Sequence, residues 1–166
     1  MKPLNTIEQQ ETGDLELVHP KTGEGLRAFL VLAGPKHPVR ERLELDGSRQ
    51  LRKRFNKRGA LELDDPEEDN RKALDFLVAC TLGWYSLEDD PAPGTASPAV
   101  KRVDALDFGN GPEPFSVGRV REIYETKKLA WVSEQARVGL NKNDVFIRDS
   151  SRTSSATSAG SPGSPN

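Results

Sequence analysis

The chain is short of the residues that brace small proteins. Its 166 residues hold one cysteine, Cys80, which excludes a disulfide framework and any zinc or redox site of the CxxC type. Aromatics make up 6 % and the hydrophobic residues together 34 %, a low share for a globular domain. The apolar runs are only a few residues long, Phe29–Ala33 among the longest, so no segment reads as a membrane-spanning helix. Met1-Lys2-Pro3-Leu4-Asn5 has no apolar stretch behind its charge, so no secretory signal is expected. What these absences leave is a soluble chain of a reducing compartment, with enough apolar material for a small core.

That material is unevenly spread. Residues 1–13 are polar and read as a flexible lead-in. Asp14–His19 alternates at period two, Pro20–Gly25 is turn-like, and Leu26–Leu32 is apolar, which predicts an N-terminal β-hairpin. Val39, Leu43, Leu51 and Phe55 fit a helix over about 38–58, with a break possible at Gly47-Ser48. Asp65-Pro66 with Glu68 is a helix-start signature, and Leu74, Leu77, Val78, Thr81 and Trp84 continue as a stripe, predicting a helix over about 66–83. Residues 86–114 read as a Pro/Gly-rich loop with at most a short extended piece at Val100–Phe108. Ser116 is a candidate N-cap for a helix carrying Val117, Val120, Ile123 and Tyr124, and a last helix runs from about Ala130 to Asn141, with Phe146-Ile147 as an anchor. Residues 149–166 hold no large apolar residue and are expected to be disordered. The expected fold class is α+β, mainly α: an N-terminal β-hairpin followed by about four helices and a disordered C-terminal tail. Its parts are a flexible 1–13, a hairpin with helices over 14–85, the loop 86–114, a helical pair over 115–148 and the tail.

The formal net charge of −2 conceals a dipolar layout. Nine bases against three acids lie between Lys36 and Arg58, and six acids follow from Glu62 to Asp69. Arg49, Arg52, Lys53, Arg54, Lys57 and Arg58 are candidates for an electrostatic contact. Phosphate binding is one reading of this block, and an acidic protein partner is another. Mutual neutralisation of adjacent helix faces is favoured over nucleic acid, because neither a row of interleaved aromatics nor a recognised reading motif accompanies the bases.

Catalytic constellations are not found. His19 and His37 sit beside prolines without a ligand partner at metal spacing, and Cys80 lies among apolar neighbours, as a core thiol does. Gly109-Asn110-Gly111 lacks the third glycine of a dinucleotide loop. No enzyme activity, cofactor or metal is expected. The large aromatics Trp84, Tyr124 and Trp131 read as core that fixes helix on helix, or as anchors for a partner.

The order of features resembles the tail assembly chaperones of long-tailed bacteriophages. The similarity spans about residues 14–147. It is carried by the segment closing in Gly83-Trp84, by "PFS" opening a helix with Ile123-Tyr124, and by Leu129-Ala130-Trp131-Val132-Ser133-Glu134-Gln135 with Asn143–Phe146 beyond. The resemblance implies a non-enzymatic protein that binds the tape measure protein, keeps it soluble, helps recruit tail tube subunits, acts in the host cytoplasm and is absent from the finished virion. Under it, Trp84, Tyr124, Trp131, Val132, Gln135 and Phe146 form the partner surface or the packing behind it. Self-association stays open. A structural tail or neck protein retained in the virion is one alternative, and a small DNA-binding accessory protein using residues 49–58 is another.

Overall fold

The computed structural model describes residues 7–58, 65–90 and 99–149. Three strands come first: β1 (Ile7–Gln9), β2 (Thr12–Val18) and β3 (Gly25–Ala33). Two helices follow, α1 (Pro38–Arg58) and α2 (Pro66–Cys80). Then come β4 (Thr81–Asp90), β5 (Ala99–Val103), β6 (Ala105–Asp107) and β7 (Pro112–Pro114). The chain closes with α3 (Val117–Glu125), α4 (Ala130–Asn141) and β8 (Ile147–Asp149), linked by 3-10 turns at Lys127–Leu129 and Asn143–Phe146.

β2, β3, β4 and β5 form one antiparallel sheet in that order, with α1 and α2 inserted between β3 and β4. β6 pairs with β7 as a short ribbon, and β1 pairs with β8. In register, Leu15 lies beside Leu30 and Leu30 beside Trp84. With Leu17 and Leu32 they form the face that receives the helices: Gly139 of α4 sits on Leu15 and Leu32 so closely that a Cβ there would stand 2.7 Å from Leu15 Cδ2. Ala33 of β3, Leu77, Val78 and Cys80 of α2, Leu106 of β6, Val120, Ile123 and Tyr124 of α3, Val132, Ala136 and Leu140 of α4, and Phe146 join them in the core. Each large side chain fully buried this way contributes about 1.5–3 kcal/mol.

The expected mainly α fold is corrected. Of the described residues, 50 % are helical and 33 % are strand, with four helices and eight strands in three sheets. The N-terminal hairpin expected over residues 14–32 is not a two-stranded unit, since β2 and β3 are two strands of the four-stranded sheet. The helix expected over 66–83 stops at Cys80, and Trp84 and Tyr85 lie on a strand. Thr81, Gly83, Trp84 and Tyr85 fit a pleated strand better than a helix, and Gly83 alone costs a helix about 1 kcal/mol. The segment 86–114, expected as a loop, carries the end of β4 and all of β5, β6 and β7. The lead-in 1–13 contains β1 and the start of β2. α1 runs unbroken through Gly47-Ser48. Of the tail expected to be disordered over 149–166, Asp149 instead ends β8, and 150–166 lie outside the described residues, as do 1–6 of the flexible N-terminus.

Where punctuation is chemical, the helices begin at the cap. Asp65 accepts a hydrogen bond from the Glu67 N–H at 3.2 Å ahead of Pro66, and Ser116 Oγ accepts one from the Arg119 N–H at 3.2 Å.

A cleft beside Trp131 as the candidate functional site

The helix-facing side of the sheet changes size along its strands. Leu30 and Trp84 are a large buried pair, and the next pair on that side is Ala28 beside Ser86. Two small side chains leave a hollow that neither the first turn of α4 nor the β6–β7 ribbon fills. The result is a half-open cleft of about 560 Å³. Ala28, Ser86 and the strand around them form its floor. Leu26, Leu129, Trp131, Leu106, Phe108 and Pro112 also line it. Leu106 is buried, while Trp131, Leu129 and Phe108 pack on the core with part of each still exposed.

The walls are held by hydrogen bonds that the sequence does not advertise. Trp84 Nε1 donates to the Glu113 carbonyl at 2.9 Å, and its ring meets Phe108 and Phe115 edge-on with centroids 5.3 Å apart. Trp84 therefore locks the ribbon onto the sheet and fixes one wall. Asp107 Oδ1 accepts from the Gly109 and Gly111 N–H groups at 2.7 and 3.0 Å, and both glycines are left-handed, with φ of +109° and +98°. Arg119 grips Glu113 through two hydrogen bonds, at 2.5 and 3.0 Å, tying the ribbon to α3. At the rim, Arg27 is ion-paired with Asp89 at 2.9 Å and takes a left-handed φ of 54°, its N–H donating to Glu16 Oε1 at 3.2 Å. Glu88 and Asp107 supply negative charge beside the apolar walls. An apolar side chain of a partner fits this chemistry, with a polar or basic neighbour at the rim.

The six residues expected at a partner surface are sorted by this geometry. Trp84, Tyr124, Val132 and Phe146 are 3 %, 8 %, 1 % and 1 % exposed and belong to the packing behind the surface, the second of the two roles expected of the six. Tyr124 shares a 2.8 Å hydrogen bond with Thr81 Oγ1, and burial pushes its phenol up to about 12. Gln135 is committed elsewhere: its Oε1 accepts from the Val18 N–H at 2.9 Å and its Nε2 donates to the Val18 carbonyl at 2.7 Å. It occupies the outer edge of β2 as a neighbouring strand would. Trp131 is the one of the six that lines the cleft.

The basic candidates lie apart. Arg49, Arg52, Lys53, Arg54 and Lys57 are exposed on α1, which lines no part of the cleft. The side chain of Arg58 lies outside the described residues. Arg40, counted in the same basic block, points instead to the body of the molecule, where its Nη1 donates to the Leu140 carbonyl at 2.9 Å and closes the C-terminal end of α4. His19 Nδ1 accepts from the Lys21 and Thr22 N–H groups inside the β2–β3 turn, and His37 Nδ1 accepts from the Val39 N–H at the start of α1. Cys80 is fully buried, and desolvation pushes its thiol up to about 11. Among the described residues no group of three or more His, Cys, Asp or Glu is placed to hold a metal ion. None of the described helices is long and apolar enough to cross a membrane.

The opposite face of the sheet is closed on itself. Phe29 stacks on Tyr85 at 4.8 Å, Arg102 lies 3.8 Å over the Tyr85 ring, and the Tyr85 hydroxyl donates to Asp14 Oδ2 at 3.0 Å. Sequence reasoning missed most of the cleft: Leu26, Ala28, Ser86, Leu106, Phe108, Pro112 and Leu129. The signal that existed was the pair of small residues at Ala28 and Ser86, which reads as a floor only once the two strands are known to be neighbours. No protein family, curated protein or solved structure matches the chain.

Proposed function

We propose that the chain is a tail assembly chaperone of a long-tailed bacteriophage, a non-enzymatic binding protein whose partner is the tape measure protein. The observation that carries this reading is the cleft at Trp131. One of the segments that carry the phage resemblance, Leu129–Gln135, also lines this cleft, through Leu129 and Trp131. A helix of the partner would seat an apolar side chain between Trp131 and Phe108, the helix-in-groove mode by which aggregation-prone amphipathic segments are kept covered. The proposal includes recruitment of tail tube subunits, action in the host cytoplasm and release before the virion is complete.

Co-expression with the neighbouring tape measure protein tests it. The soluble fraction of that partner is expected to rise with the intact chain. It should fall back when Trp131→Ala removes a wall or Ala28→Leu fills the hollow, while both variants remain folded by circular dichroism. No rise with the intact chain, or the same rise with both variants, sinks the reading. Purified virions should lack the protein, and its retention there in stoichiometric amount would make it a structural component instead.

A further inference from the structure

We infer that the distal half of α1, residues 49–57, is a second docking surface and that its occupant is an acidic amphipathic helix of a partner protein. The first two turns of α1 are tied to the body through Leu43 and Arg40. From Glu44 to Lys57 every residue is exposed. A lone helical segment of that length is marginal in water, because helices this short draw their stability from packing.

Two features of the segment define what covers it. Leu51 and Phe55 are 54 % and 50 % exposed and stand four residues apart, on one side of the helix. Around them the charge has one sign: no acid occurs between Gly47 and Lys57, against five bases. Arg52, Lys53 and Lys57 form no ion pair with any described residue, and Arg49 reaches only Asp46 of its own helix, at 3.6 Å. Of the acids at the start of α2, Glu68 meets Arg54 at 3.9 Å. Three of the five bases, Arg52, Lys53 and Lys57, thus stay without an acidic partner among the described residues. A phosphate backbone would satisfy the bases and leave Leu51 and Phe55 in water. An acidic helix with apolar residues at three- and four-residue spacing covers both, and its charge complementarity also speeds encounter. This surface shares no residue with the cleft and does not depend on the chaperone reading.

The experiment uses the full-length chain and fluorescence anisotropy. The probes are a labelled synthetic helix with leucines at three- and four-residue spacing and glutamates elsewhere, its lysine counterpart, and duplex DNA. The glutamate helix is expected to bind best, and more weakly as salt rises. Its affinity should drop about tenfold in the double variant Leu51→Ser/Phe55→Ser, and by a similar factor in Arg52→Gln/Lys53→Gln/Lys57→Gln. Trp131→Ala should leave it unchanged. The inference is overturned if the lysine helix binds as well. It is also overturned if DNA binds more tightly and ignores Leu51 and Phe55, or if the charge variant leaves the affinity intact. Both sets of side chains are exposed, so melting temperatures should hold. Should the serine variant melt lower, the charge variant alone decides.

Discussion

A Cβ on Gly13 would stand 2.7 Å from Val145 Cγ1 and 2.8 Å from Phe146 Cδ1, and closer still to the Val145 carbonyl oxygen, which belongs to the backbone and has nowhere to go. Gly13→Ala is expected to cost about 3 kcal/mol, the upper end for overpacking, read as a lowered denaturant midpoint. Gly47 gives the opposite sign: it sits inside α1 with nothing within 4 Å of a Cβ, so Gly47→Ala should stabilise by about 0.5–1 kcal/mol. An unchanged midpoint in either variant would contradict this packing. A third residue sets a pH dependence. The unfolded chain ionises its tyrosines from pH 10, whereas burial holds folded Tyr124 neutral until about 12. The folded form then carries the extra proton, so this contribution is whole below pH 10 and is lost between 10 and about 12, at a slope of at most about 1.4 kcal/mol per pH unit. Denaturant midpoints measured across that window should fall, with Tyr85 and Cys80, also pushed up by burial, adding to the fall, and Tyr124→Phe should make it less steep.

Elements differ in how far they can be read from the chain. The start of α2 at Asp65-Pro66 and of α3 at Ser116 follow from chemistry within four residues, and caps of that kind are visible in any sequence. β4 was hidden because the apolar spacing of Leu77, Val78, Thr81 and Trp84 satisfies a helix, and only the sheet partners on either side decide that Thr81 onward is strand. β5 and the β6–β7 ribbon have five, three and three residues, too few for a period to declare itself. The cleft suffered the same fate, since its floor is a cross-strand pair and its walls come from segments far apart in the chain. Trp131 was legible as an aromatic without an assigned partner; Trp84 and Tyr124 looked identical and turned out to be packing. Gln135 gives the prediction at this scale. Gln135→Ala removes two hydrogen bonds from the β2 edge and should cost about 1–2 kcal/mol. Loss of protection from hydrogen exchange at the Val18 amide would accompany it. A variant that keeps Val18 protected would show that α4 does not guard that edge.

The whole molecule combines a well-knit sheet-and-helix body with an arm of weak attachment. Stability should therefore be uneven. Native-state hydrogen exchange is expected to show the amides of Leu30 and Leu32 protected near the global limit and those of residues 49–57 exchanging far faster. Equal protection across both would mean that the arm is packed in solution. The pairing of β1 with β8 adds a kinetic consequence. Ile7 faces Asp149 and Gln9 faces Ile147, so the first described strand must find the last. Three register pairs close nearly the full contour of the chain, a poor return on the entropy of so large a loop. The sheet built by β2–β5 assembles from nearer neighbours and should form first. In a refolding reaction sampled by pulsed hydrogen exchange, the amides of residues 7–10 and 147–149 should be the last to acquire protection. Among the described residues order is thus completed last where β1 meets β8, when the seam between them shuts.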